Sequence, residues 1–294
     1  MFSGLSAFPL TPVKNGIIDE VAFARLVERL ATSGVDSICA LGSTGNYAYL
    51  SCSERIRITQ LAVEHAGNVP VFIGIGALRI RDMLALAEEA QKAGARGILL
   101  APMSYQKLSE DEVINLYQTV TRSLSVPLVV YDNPSTTHFE FSDELHGQIA
   151  QLPNVASIKI PGVPAVSARL RVNQLRALIP AHVTIGVSGD AFGAAGLNAG
   201  CEVWYSAIGG LFPQAVLAIT RASQAGNAQE ALLLSERLEP LWALMRQHGS
   251  LRVVAAAAEL LKLVDSPSLP VPLRAVTGAD RELLASLIGE LGLA

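Results

Sequence analysis

Eight short apolar runs, each followed by a stretch of helical periodicity, constrain this chain more than any other feature. The runs are Leu5–Leu10, Ser37–Leu41, Val71–Ile75, Gly97–Ala101, Leu128–Tyr131, Val155–Ile160, Val183–Val187 and Val203–Ala207. Valine, isoleucine and leucine fill them with little polar alternation, the pattern of strands covered on both faces. The intervening helices carry their own signals. Asp19–Thr32 places Val21, Phe23, Leu26, Val27 and Leu30 on one face. Ser51–Glu54 and Ser109–Glu112 read as capping boxes, Gly94 stops a helix begun at Arg81, and Pro213 opens another.

Eight β/α repeats with short loops predict the α/β class and a closed (β/α)8 TIM-type barrel over residues 1–225. The competitor is an open doubly wound sheet, but no Gly-rich nucleotide turn follows the first run. Residues 226–294 read as a C-terminal extension of three helices, Ala228–Arg246, Leu251–Val264 and Ala279–Leu291. Pro267, Pro270 and Pro272 separate the last two. The extension is expected to pack on the barrel.

Composition removes several functional classes. Charged residues make up only 16% of the chain, and 22 Lys+Arg against 26 Asp+Glu leave a net charge of −4. With no basic run, nucleic acid is not an expected partner. No uncharged apolar stretch reaches about 18 residues, so no membrane span is expected. Cys39, Cys52 and Cys201 are odd in number and far apart, which reads as reduced thiols in a cytoplasmic protein. The five histidines show no HxH or HExxH spacing, and Gly74-Ile-Gly76 lacks the third glycine of a dinucleotide turn. No metal and no cofactor are expected.

In a barrel of this kind chemistry gathers where the strands end. Lys159 is the sharpest feature there. Of five lysines it alone interrupts a strand, Val-Ala-Ser-Ile-Lys-Ile. Alternation puts residues 155, 157 and 159 on one face and the apolar 156, 158 and 160 on the other. Lys159 then points into the barrel near its C-terminal mouth. Burial disfavours an ammonium there, and a neutral amine in a dry pocket is the nucleophile that forms an imine with a ketone. The competing reading is a buried lysine paired with a carboxylate such as Asp190.

Tyr131 ends the neighbouring run, where a phenol can pass protons; the alternative is an ordinary half-buried tyrosine. Ser43 and Thr44 lie between Gly42 and Gly45, where hydroxyls and N–H groups can hold a carboxylate; the alternative is a plain turn. Ser188-Gly189-Asp190 ends the seventh run. The loops Ser188–Gly193 and Ser206–Gly210 also allow a phosphate site.

At these residues the chain resembles the dihydrodipicolinate synthase / N-acetylneuraminate lyase family. The likeness runs from Leu10-Thr11-Pro12 through Gly42-Ser43-Thr44-Gly45, Tyr131-Asp132-Asn133-Pro134 and Ser157-Ile158-Lys159 to Ser188-Gly189-Asp190. The resemblance implies a barrel with a helical extension, usually a tetramer, and a lysine that forms a Schiff base with pyruvate or another 2-oxo acid. Carried over, Lys159 is the Schiff-base lysine and Tyr131 the proton relay. Ser43 links that phenol onward, and Thr44 holds the carboxylate. Trp204 falls near the main-chain position lining the pyruvate pocket. Thr136 stands where the synthase carries an arginine that anchors the aldehyde partner, and it cannot supply a bidentate cation. Asn46 replaces a frequent glutamate. Met103-Ser104-Tyr105 leaves Ser104 or Tyr105 as the relay's third member.

The expected activity is therefore a cofactor-independent lyase, of aldolase, dehydratase or deaminase type, on a small 2-oxo acid. Its expected site comprises Lys159, Tyr131 and Ser43 with Thr44, Trp204, Thr136 and Ser188 against the substrate. True synthase activity on pyruvate and an aspartate-derived semialdehyde is the first alternative. A phosphosugar isomerase and a non-catalytic 2-oxo-acid-binding protein are the others.

Overall fold

The computed structural model describes residues 2–293. Eight parallel strands close into a barrel: β1 (Gly4–Ala7), β2 (Ser37–Ala40), β3 (Val71–Gly74), β4 (Gly97–Leu100), β5 (Leu128–Tyr131), β6 (Val155–Pro161), β7 (Thr184–Ser188) and β8 (Val203–Ser206). β1 pairs with both β2 and β8, which closes the sheet and excludes the open alternative.

The outer helices are α1 (Glu20–Ala31), α2 (Cys52–His65), α3 (Ile80–Ala93), α4 (Glu110–Thr121), α5 (Asp143–Ala150), α6 (Ala165–Arg176), α7 (Gly193–Asn198) and α8 (Pro213–Gln224). Both capping boxes form: Ser51 and Ser109 each accept from the backbone N–H of the glutamate three residues on, which reaches back to the cap. Gly94 takes the left-handed conformation that ends α3. Val21 is an exception to the expected face of α1, since it is exposed while Phe23, Leu26, Val27 and Leu30 are buried. A short antiparallel hairpin, Val13–Lys14 with Ile17–Ile18, had no place in the sequence reading. Its turn is Asn15-Gly16, both at positive φ, a strong hairpin dipeptide.

Two apolar layers hold the barrel. One lies between strands and helices. The other fills the lumen with Phe8, Cys39, Phe72, Leu99, Val129 and Val203 among its members. Phe2 stacks on Phe72 at 5.0 Å and closes the end where the strands begin. Two strand glycines make room for the lumen's large rings. A Cβ on Gly97 would stand 2.5 Å from Phe72, and one on Gly186 would stand 2.2 Å from Tyr205.

The pairing of β5 with β6 slips by one residue near its start. Leu128 faces Val155, but Val129 faces Ser157 and Tyr131 faces Lys159. Ala156 is the extra residue, as in a β-bulge. The expectation that 155, 157 and 159 share a face is corrected here. Val155 joins the outer core, while Ser157, bonded to Tyr205 inside the barrel, and Lys159 face the lumen.

Beyond the barrel, the expected three helices are four: α9 (Ala228–Arg237), α10 (Glu239–His248), α11 (Ser250–Leu260) and α12 (Gly278–Glu290). The span read as Ala228–Arg246 breaks at Leu238, because Pro240 sits in the first turn of α10 and has no N–H to continue the helix behind it. Buried Glu259 accepts from Ser266, Ser268 and Arg281, which ties α11 to the segment ahead and to α12.

The lumen geometry yields a paired stability test. Gly186→Ala forces Tyr205 and Val203 apart and lowers stability by about 1–3 kcal/mol. Gly289→Ala, within α12 and with nothing within 4 Å of the added carbon, raises it by about 0.5–1 kcal/mol. Thermal melts followed by circular dichroism check both signs.

Candidate active site

The register slip sets the site. Tyr131, the last residue of β5, lies beside Lys159 on β6, which in turn lies beside Gly186 on β7. Lys159 is only 5% exposed. Its Nζ lies 4.1 Å from the Tyr131 ring centre, 4.2 Å from that of Phe8 and 5.9 Å from that of Tyr205. Among the described residues no carboxylate oxygen lies within 4.0 Å of it. The reading of Lys159 as half of a buried ion pair with Asp190 therefore fails. Asp190 spends its oxygens elsewhere, on the Ser206 hydroxyl at 2.6 Å and the Ile208 N–H at 3.1 Å.

Tyr131 is the hub of the polar contacts. Its Oη lies 3.0 Å from the Ser43 hydroxyl and accepts from Asn133 Nδ2 at 3.0 Å. Burial alone would raise its pKa. The nearby Lys159 charge and the hydrogen bonds with Ser43 and Asn133 outweigh burial, and the phenol sits below the ordinary tyrosine value. Burial instead dominates at Asp190, whose carboxyl is raised despite Ser206, Ile208, Lys159 and Trp204.

These groups open onto a cavity of about 790 Å³ at the C-terminal mouth of the barrel, lined by Ser43, Thr44, Tyr131, Lys159, Thr136 and Ser188 among others. Six of the seven expected site residues thus meet in one place. Their parts differ. Thr136 donates to the Asn133 carbonyl from a one-turn helix, Pro134–Thr137. Ser188 donates its proton to the Ile160 carbonyl at 2.9 Å, so it is left with acceptor capacity. Trp204 is not on the cavity wall. Its side chain packs outward, where a Cβ on Gly193 would stand 2.2 Å from the indole.

Tyr205, the next residue, turns inward and lines the cavity, donating to Ser157 at 2.7 Å. Period-two alternation across Val203-Trp204-Tyr205 was the available signal. Ser104 lines the cavity, whereas Tyr105 is 90% exposed and points away. Phe8 and Asn133 were given no role in the expected site, nor were Met245, Arg246 and Arg252, which the C-terminal extension folds over the mouth. The phosphate reading of the late loops fails on chemistry. The Ile208 N–H and Ser206 hydroxyl are committed to Asp190, and the Gly209 N–H to Ser206. A carboxylate at their focus repels a phosphate. Among the described residues no three His, Cys, Asp or Glu side chains gather closely enough to hold a metal ion.

Residues 1–291 match the sequence profile of the dihydrodipicolinate synthetase family. The chain belongs to that family. It is 28% identical over 295 residues to a 4-hydroxy-tetrahydrodipicolinate synthase of Persephonella marina, covering 100% of this chain and 99% of the relative. A synthase of the same name from Hyphomonas neptunium is 30% identical over 299 residues, covering 100% and 99%. The crystal structure of a dihydrodipicolinate synthase from Agrobacterium tumefaciens superposes with a TM-score of 0.95 at 41% identity, covering 99% of this chain and 98% of that one. Membership agrees with the barrel and with the resemblance drawn from the strand ends.

The balance at Tyr131 is open to titration. Its phenol should ionise below about pH 10, the value for an unperturbed tyrosine. Lys159→Met removes the nearby charge and leaves burial dominant, so the transition moves to higher pH. Tyrosinate absorbance, assigned by its loss in Tyr131→Phe, checks the direction; no change in Lys159→Met contradicts it.

Proposed function

We propose that this member of the family is a Schiff-base-forming lyase acting on pyruvate or a substituted 2-oxo acid, with Lys159 as the nucleophile. The observation that carries the reading is a lysine without a counter-ion, walled by aromatic rings at the head of a cavity and adjoining a hydrogen-bonded phenol.

In the proposed sequence Lys159 gives a proton to the Tyr131–Ser43 relay, and the freed amine adds to the keto carbon. Tyr131, relayed through Ser43, delivers a proton to the departing oxygen, and the carbinolamine loses water to give a protonated imine. That imine takes up the electron pair when the C3–C4 bond breaks in aldol cleavage, the C4 hydroxyl losing its proton to leave as an aldehyde and the enamine gaining one at C3, or when a C3 proton leaves ahead of elimination of a C4 substituent. Water then adds back, releases the product and restores the amine. Thr44 and neighbouring N–H groups hold the 2-oxo acid's carboxylate and fix the reacting carbon in one orientation. The Tyr131 phenol, already disposed to give up its proton, is suited to this exchange.

The names of the full-length relatives favour a second reading, condensation of pyruvate with an aspartate-derived semialdehyde. Thr136 offers that aldehyde's carboxylate a hydroxyl and no cation. Steady-state assay with the semialdehyde separates the two readings. The remaining features of the proposal have their own supports. A homo-oligomer, tetrameric by resemblance, suits the bare apolar face of α6, where Val166 is 98% and Leu170 63% exposed one turn apart. A cytoplasmic location suits three free cysteines. Residues 226–294 as an extension of the barrel suit the burial of 253–259 in α11.

Borohydride reduction in the presence of pyruvate, followed by peptide mass spectrometry, tests the central step. The modification should fall on Lys159 and vanish in Lys159→Ala. Tyr131→Phe should slow imine formation by about 10²–10⁴-fold. Modification elsewhere, or none, overturns the assignment. Imine formation without turnover on any 2-oxo acid turns the reading toward a binding protein.

A further inference from the structure

The cavity is larger than a three-carbon acid needs, and its charges are uneven. Four charged side chains line it: Lys159 and Asp190 deep in the barrel, Arg246 and Arg252 at the mouth. Asp190 is held by Ser206 and Ile208. Arg246 is neutralised by Glu239, one of its own helix's first residues. Arg252 differs from the others. It stands in the first turn of α11, which packs against the Ser43–Gly45 turn. Among the described residues its guanidinium has neither a carboxylate within 4.0 Å nor a hydrogen-bond acceptor. Apolar Met245, Leu251 and Leu273 line the wall near it. An unpaired guanidinium over a part-enclosed cavity is a fork awaiting a planar anion.

Resting on the imine reading above, we infer that Arg252 binds a second carboxylate at the far end of the substrate, so that the protein acts on a 2-oxo acid with two carboxylates. The near carboxylate and keto group go to the Thr44 turn and Lys159. The arm then runs out of the barrel toward the extension. One free guanidinium balances one negative charge, which favours a carboxylate over a doubly charged phosphate. Selection is thus supplied by the extension and chemistry by the strands.

Matched pairs of 2-oxo acids isolate the far charge: 2-oxoglutarate against 2-oxopentanoate, and 2-oxoadipate against 2-oxohexanoate. Within a pair the chain length is the same and only the terminal carboxylate differs. Half-saturating concentrations for borohydride trapping at Lys159 are measured with the full-length protein. At least one diacid should be trapped at about 10- to 100-fold lower concentration than its partner. That ratio should fall by a similar factor in Arg252→Gln and be partly restored in Arg252→Lys. A ratio near one in the wild type overturns the inference, as does a ratio that Arg252→Gln leaves alone. The latter result includes the case in which Arg252 holds the near carboxylate, since both members of a pair then weaken together. Trapping of pyruvate but of neither diacid overturns it too. Failure to trap pyruvate itself at Lys159 instead sinks the imine reading on which the inference stands.

Discussion

The one-residue slip between β5 and β6 is the constraint on which the site depends. Had the pairing continued unbroken from Leu128 opposite Val155, Tyr131 would oppose Ile158, and the inward faces of the two strands would fall out of phase. The extra residue at Ala156 restores the phase, so the phenol and the amine point into the same lumen. Everything near the amine follows from that. Gly186 on the next strand has no side chain, and the space is taken by Tyr205 from β8. Phe8 arrives from the end of β1. The lysine is walled by rings because four different strands deliver their ends to one place.

A lysine set among aromatic rings without a carboxylate is a poor choice for stability alone. Cation–π contact offsets part of the desolvation, but a buried ion ordinarily takes a charged partner. Here an acid is available nearby and is diverted. Asp190 accepts from Ser206 and from the Ile208 N–H, and Ser206 in turn accepts from the Gly209 N–H. The carboxylate therefore organises the loop after β8 instead of quenching the amine. The same separation holds for Asp132, which directly follows Tyr131 yet turns toward buried His146, 3.4 Å away.

Much of the architecture was legible because it rests on local rules. All eight strands lie where apolar runs predicted them, and Ser51, Ser109 and Gly94 bound their helices through their own side chains or conformational freedom. Lys159 stood out because a charge in an apolar strand is rare. What escaped the sequence is what neighbours decide. The bulge at Ala156 leaves no mark in the β6 sequence, since Val155, Ser157 and Lys159 alternate as an unbroken strand would. Trp204 and Tyr205 are both large and aromatic; alternation puts them on opposite faces, and the missing Cβ atoms of Gly193 and Gly186 make room for the first outside and the second inside. The break at Leu238 and the hairpin at Asn15-Gly16 had local signals, a proline and a turn dipeptide, that longer apolar patterns concealed.

The extension shows why the mouth of the barrel could not be read from the strand ends alone. Met245, Arg246 and Arg252 are more than 80 residues from Lys159 in sequence and reach its cavity only through tertiary packing. That packing is fastened to the first hairpin: the Val13 N–H donates to the Ser268 carbonyl, and Lys14 pairs with Asp265 on the surface. Glu259 and Arg281 join α11 to α12 within the extension itself. The extension brings Arg246 and Arg252 to the edge of a partly enclosed space, where a field is stronger than in open water. The strands can then keep one covalent chemistry while residues of the extension change what is admitted to it. Charge can be varied on the extension's side of the mouth without moving the amine, the phenol or the register that aligns them.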